Sequence, residues 1–350
     1  MSNIQTETQS VTYRCPSNIA LVKYWGKKEG GVQLPANPSI SWTLNDLFAE
    51  TTVFASPKME ENQKVEFFLD GKPKPSFEPK IHTFLQRISS IVPVVSQWDL
   101  RIESKNTFPH GAGIASSAAG FGALALCMVD LEGDLQPGST EFYQKVSICA
   151  RLGSGSACRS MFEGAGIWGE LDSIPGSSDE YAISFPFEIH SRLKNWKDAV
   201  LIVDDGEKKV SSTQGHDLLK SHAYAHARFE QASKNLTELS EVLQNGNVER
   251  FVELVESEAL QLHAMMMSSI PYYLLIRPNT LAIIELIWAK RGATNWEMAF
   301  TLDAGANVHL LYNSEQEDDV MNFIDAELLP YCKNQLYLCS AIGGGPLKLN

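Results

Sequence analysis

The chain has 350 residues, of which 44% are hydrophobic and 20% charged, a balance typical of a globular protein large enough for two domains. Its 42 acidic residues outnumber its 29 basic ones, and the net charge of −13 argues against binding of nucleic acid or of acidic membranes. No apolar run is long enough to span a membrane, and the polar first ten residues lack a signal pattern, so a cytoplasmic location is expected.

The six cysteines show no metal-ligand spacing, and two of them, Cys127 and Cys149, lie in apolar helical stretches. They are predicted to be small buried hydrophobic residues of a protein from a reducing compartment. His222 and His226 stand four residues apart but lack the intervening glutamate of a zinc protease, which makes them a weak metal candidate.

Alternation of apolar and polar residues predicts strands, and apolar residues at helical spacing predict helices. The predicted strands cover 13–22, 43–54, 65–69, 98–103, 199–203, 299–303, 308–312 and 336–341, and one more strand begins at residue 166. The predicted helices cover 81–91, 140–152, 224–244, 248–267, 280–291 and 315–328, and one more helix begins at residue 116. Because these elements follow no regular strand–helix–strand order, the predicted class is α+β, with a boundary near residue 188 that separates domains 1–188 and 189–350.

A glycine-rich segment, residues 109–120, joins a predicted strand to a predicted helix that begins with Ser116 and Ser117. Glycines allow close approach of an anion, and a helix N-terminus offers N–H groups and a positive dipole end. The segment therefore predicts a phosphate site. It is neither a Walker A loop nor a dinucleotide fingerprint, and a plain strand-to-helix turn is the structural alternative.

Residues 153–160 repeat this pattern, because Ser154 and Ser156 precede Arg159 by about one helical turn. A guanidinium there suits a carboxylate or a phosphate. Lys23 leaves an apolar strand directly and is the second cation of interest, although a solvated strand end is the simpler interpretation.

Asp303 ends an apolar strand and precedes a glycine turn. Burial of a carboxylate is costly without partners. A turn role is the simpler interpretation. The functional one is an acceptor that orients or deprotonates a substrate hydroxyl and is kept ionised by Lys23 or Arg159. His263, near the end of a predicted helix, is expected to be structural.

Five segments, taken in order, resemble the successive signatures of diphosphomevalonate decarboxylases, a family of the GHMP kinase superfamily. They are residues 18–27 (Asn-Ile-Ala-Leu-Val-Lys-Tyr-Trp-Gly-Lys), 113–121 (Gly-Ile-Ala-Ser-Ser-Ala-Ala-Gly-Phe), 153–160 (Gly-Ser-Gly-Ser-Ala-Cys-Arg-Ser), 210–215 (Val-Ser-Ser-Thr-Gln-Gly) and 303–307 (Asp-Ala-Gly-Ala-Asn). The resemblance implies a two-domain GHMP kinase fold, with an N-terminal domain like domain 2 of ribosomal protein S5 and a C-terminal domain of ferredoxin-like type. It also implies a homodimer.

The implied reaction uses ATP and Mg²⁺ to convert mevalonate 5-diphosphate into isopentenyl diphosphate, ADP, phosphate and CO₂. By the resemblance, Asp303 is the catalytic aspartate, Lys23 the lysine beside it, and Arg159 the arginine that holds the substrate carboxylate. Further substrate contacts are implied for Tyr24, Lys27, Ser154, Ser156 and Ser212. The ATP phosphate loop is implied for Gly111, Ala112, Gly113, Ala115, Ser116 and Ser117, with Ser117 near the magnesium ion.

The chain departs from the family pattern at His110 and Gly111, where threonine and alanine are usual. His110 either contacts a phosphate or faces solvent. The alternative functions are a decarboxylase of mevalonate 5-phosphate, a mevalonate 3-kinase of the same superfamily, and a catalytically idle metabolite-binding relative.

Overall fold

Two β-sheets organise the fold. The structure, a computed structural model, describes residues 8–109, 114–206, 210 and 212–350, apart from the side chains of residues 212 and 213. The strands are β1 (Gln9–Val22), β2 (Ser39–Pro57), β3 (Val65–Leu69), β4 (Lys72–Pro73), β5 (Trp98–Asn106), β6 (Ala165–Trp168), β7 (Ala182–Ser184), β8 (Trp196–Leu201), β9 (Met298–Leu302), β10 (Val308–Asn313), β11 (Tyr337–Ala341) and β12 (Leu347–Lys348).

The helices cover the faces of these sheets. They are α1 (Glu78–Ile88), α2 (Ser116–Glu132), α3 (Thr140–Gly153), α4 (Ser191–Lys194), α5 (Ser212–Leu218), α6 (Ala225–Asn245), α7 (Val248–Met267), α8 (Pro278–Ala293) and α9 (Glu317–Phe323). A 3₁₀-helix covers Gly155–Met161, and α9 continues into a π-helical turn at Ile324–Leu328. Within the described residues, no helix has the length and the apolar character needed to cross a membrane.

The first sheet has the strand order β12-β1-β2-β5-β3-β4, and a side branch places β6 beside β2 and β7 beside β6. The long antiparallel pair β1–β2 is its centre. From Leu47 to Ala55, buried and partly buried residues alternate along β2, as expected for a strand with only one face in the core. Helices α1, α2 and α3 pack on one face of this sheet, where β1 and β2 contribute Tyr13, Cys15 and Val53.

The second sheet is antiparallel, with the order β11-β8-β10-β9. One of its faces forms a core with α8 and α9, and the other contributes Trp196 and Val200 to a core shared with α6, α7 and the first sheet. That shared core places the ends of β1 and β9 near each other. Lys23, which follows β1, and Asp303, which follows β9, therefore meet between the two sheets.

The predicted α+β class is confirmed, and most predicted elements lie within a few residues of their observed bounds. Two differences concern helices that contribute residues to a cavity between the two sheets. The predicted single apolar face of α2 is wrong, because residues 122–129 are all buried and the helix is enclosed on every side. Helix α5 was not predicted, because seven residues with glycine and several polar side chains show no helical apolar pattern.

Candidate active site

A cavity of about 830 Å³ lies between the two sheets. Segments far apart in the sequence line it together. The predicted site residues among its lining are Lys23, Tyr24, Lys27, Ala115, Ser116, Ser117, Ser154, Ser156, Arg159 and Asp303. Gly111, Ala112, Gly113 and His110 lie outside the described residues, as does the side chain of Ser212.

Lys23 and Asp303 form an ion pair in the wall of this cavity. The Lys23 Nζ lies 3.1 Å from Asp303 Oδ1, and their side chains are 2% and 25% exposed. Burial lowers the pKa of Lys23, and the negative charge of Asp303 opposes that shift. The carboxylate is thus paired with a buried cation and belongs to the lining of the cavity.

The main chain of Asp303 is fixed by its surroundings. Its carbonyl oxygen accepts a hydrogen bond from the Gly305 N–H at 2.7 Å and lies 3.0 Å from Nε2 of the buried His263. His263 on α7 therefore supports the loop of the acidic residue, in agreement with its expected structural role.

The backbone of Lys23 is held by groups that were not predicted from the sequence. Its N–H donates to Oε2 of the fully buried Glu258 at 2.9 Å, and its carbonyl accepts from Asn37 Nδ2 at 3.0 Å. Glu258 also accepts two hydrogen bonds from Arg228, at 2.6 and 3.1 Å, and one from Asn235 at 2.6 Å. A buried ion pair between α6 and α7 thereby locks the end of β1.

Two spacings in the sequence could have revealed this pair. Glu258 continues the apolar series Phe251, Val255 and Leu262 on α7 at intervals of three and four. Arg228 stands one turn before the buried Ala232 on α6. A charged residue at a core-facing position of a helix indicates a buried partner.

Arg159 is 2% exposed and points its guanidinium at neutral oxygens. Nε donates to Ser41 Oγ at 2.9 Å, Nη1 to Ser39 Oγ at 2.6 Å, and Nη2 to Asn18 Oδ1 at 3.4 Å. Burial lowers the pKa of Arg159. Among the described side chains, no carboxylate lies within salt-bridge distance of it, so its charge is available to an anion in the cavity.

The two serine-containing loops meet at the cavity. Ser117 Oγ lies 3.2 Å from Ser154 Oγ. Helix α2 begins at Ser116 after Ala115, which adopts a left-handed conformation with φ of 39° and gives no side-chain cap. Neither predicted serine thus caps the helix, and both line the cavity instead.

Tyr24 lies between the second loop and α5. A Cβ atom added to Gly155 would come within 2.9 Å of its ring, so the glycine permits this close approach. The Tyr24 ring centroid is 4.6 Å from that of Trp168 and 4.4 Å from that of His216. Its buried hydroxyl has no hydrogen-bond partner among the described residues.

Three further cavity residues were not predicted. Lys80 and Arg87 on α1 line the cavity, and Arg87 Nη1 also donates to the Leu152 carbonyl at 2.8 Å. On the sequence they belong to the polar face of an amphipathic helix, which is ordinarily solvated. His216 lies on the unpredicted helix α5, directly after the motif 210–215, which gave no sign of its burial.

The chain matches two family models. Residues 15–182 match the diphosphomevalonate decarboxylase-like N-terminal domain, and residues 199–341 match the mevalonate 5-diphosphate decarboxylase C-terminal domain. Among solved structures, that described as "MDDEF in complex with MVAPP, AMPPCP and Magnesium" has a TM-score of 0.84 at 27% identity and covers 98% of this chain and 100% of its own. Mevalonate diphosphate decarboxylase from Staphylococcus aureus also has a TM-score of 0.84, at 28% identity, with 98% and 99% covered.

Curated relatives agree with these matches. The chain is 34% identical over 338 residues to the diphosphomevalonate decarboxylase of Saccharomyces cerevisiae. This alignment covers 91% of this chain and 81% of the relative. It is 31% identical over 331 residues to that of Candida albicans, with 90% and 87% covered. The resemblance of the five sequence segments is thus confirmed, and the chain belongs to the diphosphomevalonate decarboxylase family.

Proposed function

We propose that the cavity between the two sheets carries out the ATP-dependent decarboxylation of mevalonate 5-diphosphate in this chain, with Asp303, Lys23 and Arg159 as its catalytic residues. Membership of the family makes the chain an enzyme, an ATP-dependent carboxy-lyase. The observation that carries the assignment of residues is their convergence. One cavity is lined by the Lys23–Asp303 ion pair, by the positively charged Arg159 and by both serine-containing loops.

Asp303 is proposed to accept the hydrogen bond, and then the proton, of the substrate's 3-hydroxyl. The buried ammonium of Lys23 keeps this carboxylate ionised and oriented, since its Nζ contacts Oδ1 at 3.1 Å. Phosphorylation of the hydroxyl makes it a leaving group, and its departure builds positive charge on the tertiary carbon. The proton passes from Asp303 to the departing phosphate, and the carboxylate, again ionised, stabilises the positive charge on that carbon.

Arg159 is proposed to hold the substrate carboxylate. Hydrogen bonds to Ser39, Ser41 and Asn18 fix the guanidinium without neutralising it. A fixed guanidinium binds a carboxylate in a defined orientation, which aligns the bond to be broken with the departing phosphate. The rest of the substrate is proposed to lie against Ser154, Ser156, Tyr24 and Lys27, which line the same cavity.

ATP and Mg²⁺ are proposed to bind at the start of α2. The absence of a side-chain cap among the described residues and the exposure of the Ser117 hydroxyl fit a phosphate group with its metal ion. Residues 111–113 are proposed to complete this loop. The nucleotide supplies the transferred phosphoryl group when bound. The related structure described above contains AMPPCP and magnesium.

The experiment supplies ATP and Mg²⁺ with mevalonate, its 5-phosphate and its 5-diphosphate in separate reactions and measures ADP and CO₂ in each. We expect both products with the 5-diphosphate. ADP without CO₂ would instead indicate a mevalonate 3-kinase, and products with the 5-phosphate alone would indicate a decarboxylase of mevalonate 5-phosphate. No products with any of the three compounds would indicate a catalytically idle metabolite-binding protein.

Asp303→Asn tests the catalytic assignment. This variant keeps the shape of the side chain but cannot accept a proton, so we expect kcat to fall by at least about 10²-fold, the usual scale of general-base catalysis. The KM for the diphosphate should change little. Asp205→Asn is the matched control, because Asp205 lies outside the cavity in an ion pair with Lys333. Equal kcat in Asp303→Asn and the control would contradict the assignment.

Three features of the protein remain predictions from the sequence. The homodimer is tested by analytical ultracentrifugation of the purified chain, and the cytoplasmic location by cell fractionation. A domain boundary near residue 188 is supported by the change of sheet there, since β7 belongs to the first sheet and β8 to the second.

A further inference from the structure

His216 lies in the wall of the cavity and packs against two aromatic side chains. Its ring centroid is 4.4 Å from that of Tyr24 and 4.5 Å from that of Trp25, with interplanar angles of 36° and 35°. The residue is only 7% exposed. The two rings and the surrounding protein cover most of the imidazole, and its two ring nitrogens are the groups that can form polar contacts.

One edge has a fixed partner. Nδ1 lies 2.9 Å from the backbone nitrogen of Gly26, whose N–H can only donate. Nδ1 is therefore the acceptor, and the proton of the neutral ring resides on Nε2. Burial, with the positive charge of Lys27 nearby, lowers the pKa of His216 to about 3, which keeps the ring neutral at physiological pH.

The opposite edge carries the Nε2–H donor. It has no hydrogen-bond partner among the described residues, and His216 belongs to the lining of the cavity. The adjacent Tyr24 hydroxyl is buried and also has no partner among those residues. The buried Tyr24 hydroxyl is costly to leave unpaired, and the Nε2–H beside it is a donor that an acceptor in the cavity can reach.

We propose that His216 is a further substrate-binding residue, which donates its Nε2–H to a phosphate oxygen of the mevalonate 5-diphosphate beside Tyr24 and Lys27. This assignment rests on the proposed function. Tyr24 contacts the Gly155 loop, so the contact belongs to the substrate side of the cavity rather than to the α2 side, where ATP is placed. A neutral donor adds binding without the large desolvation cost of another buried cation.

Two isosteric variants separate binding from a purely structural role. His216→Asn keeps an acceptor for the Gly26 N–H but loses the Nε2 donor, whereas His216→Gln keeps a donor at the position of Nε2 but loses that acceptor. We expect His216→Asn to raise the KM for mevalonate 5-diphosphate about 10- to 100-fold with little change in kcat, the effect of losing a hydrogen bond to a charged group. His216→Gln should recover most of the affinity.

The matched control is His222→Asn. His222 is also buried, accepts the Tyr224 N–H at Nδ1 and places Nε2 3.1 Å from Ser268 Oγ, but it does not line the cavity. Its KM should match that of the unmodified chain. Calorimetric binding of mevalonate 5-diphosphate without ATP gives a readout independent of turnover.

The reverse order of affinities, with His216→Gln weak and His216→Asn normal, would overturn the proposal in favour of a structural role. So would equal affinities in both variants and the unmodified chain, or a loss confined to the KM for ATP. Failure of the unmodified chain to turn over or bind the diphosphate contradicts the proposed function itself, so the two failures are distinguishable.

Discussion

Arg159 combines deep burial with a set of neutral partners, and this combination determines what it can do. Two serine hydroxyls and one amide oxygen receive its three hydrogen bonds. These hydrogen bonds fix the plane of the guanidinium, yet they leave its positive charge uncompensated within hydrogen-bond distance among the described residues. A buried cation held in this way favours binding of an anion, since attraction to the anion offsets part of the free energy needed to desolvate the guanidinium.

Arg159→Lys should therefore lose activity although it keeps the charge. An ammonium cannot contact Ser39, Ser41 and Asn18 at the same time and still bind a carboxylate in a bidentate manner. We expect kcat/KM for mevalonate 5-diphosphate to fall about 10- to 100-fold, which corresponds to loss of a charge-assisted hydrogen bond of about 1.5–3 kcal/mol. Steady-state kinetics measure it.

Arg101→Lys serves as the control, because Arg101 is exposed and pairs with Glu103 away from the cavity. Its kcat/KM should equal that of the unmodified chain. A folded Arg159→Lys variant with turnover close to normal would contradict the role of the guanidinium fork.

Helices α6 and α7 act on the site through one buried ion pair. Arg228 and Glu258 are 3% and 0% exposed at their side chains, and Glu258 also accepts the N–H of Lys23. The two helices thus support the end of β1 from behind, and the position of the Lys23 backbone depends on them. The pair therefore links the packing of two helices to the position of Lys23.

Glu258→Leu should lower the free energy of unfolding by about 3–5 kcal/mol, because it leaves Arg228 buried without its carboxylate. In the double variant Arg228→Met/Glu258→Leu, apolar packing replaces the pair, and we expect much of the stability to return. We expect a lowered kcat in both the single and the double variant, since the Lys23 N–H lacks its acceptor in each. Urea denaturation and kcat of the same samples test this. A double variant with normal kcat would show that Glu258 serves stability alone.

The same elements show how far the sequence predicts this structure. Helix α7 matches its predicted range, because twenty residues with a regular apolar stripe give a clear period. The motif residues Lys23, Arg159 and Asp303 converge as expected. The helical spacing of Glu258 indicates that it is buried, but its contact with Lys23 results from packing between distant segments and cannot be read from local periodicity. The burial of His216 has the same cause.

At the scale of the whole molecule, a continuous core joins the two sheets. Trp42 on β2 stacks on Phe251 of α7 with ring centroids 5.2 Å apart, and Phe251 in turn contacts Trp196 of β8 at 4.9 Å. The first of these residues belongs to the first sheet and the other two to the second half of the chain. The residues proposed as catalytic also come from both halves, so the shared core holds the two sides of the cavity together.

This core predicts that the two halves unfold together. Trp42 is 1% exposed, and Trp42→Ala should lower the free energy of unfolding by about 3–5 kcal/mol, because it removes a large buried side chain and leaves a cavity. Since the Trp42 ring packs on residues of both halves, calorimetry should show a single transition that moves to lower temperature as a whole. Met59→Ala, at a side chain that is 88% exposed, should leave the transition in place. Two separate transitions, of which Trp42→Ala shifts only one, would mean that each sheet folds on its own and that the cavity forms only when they dock.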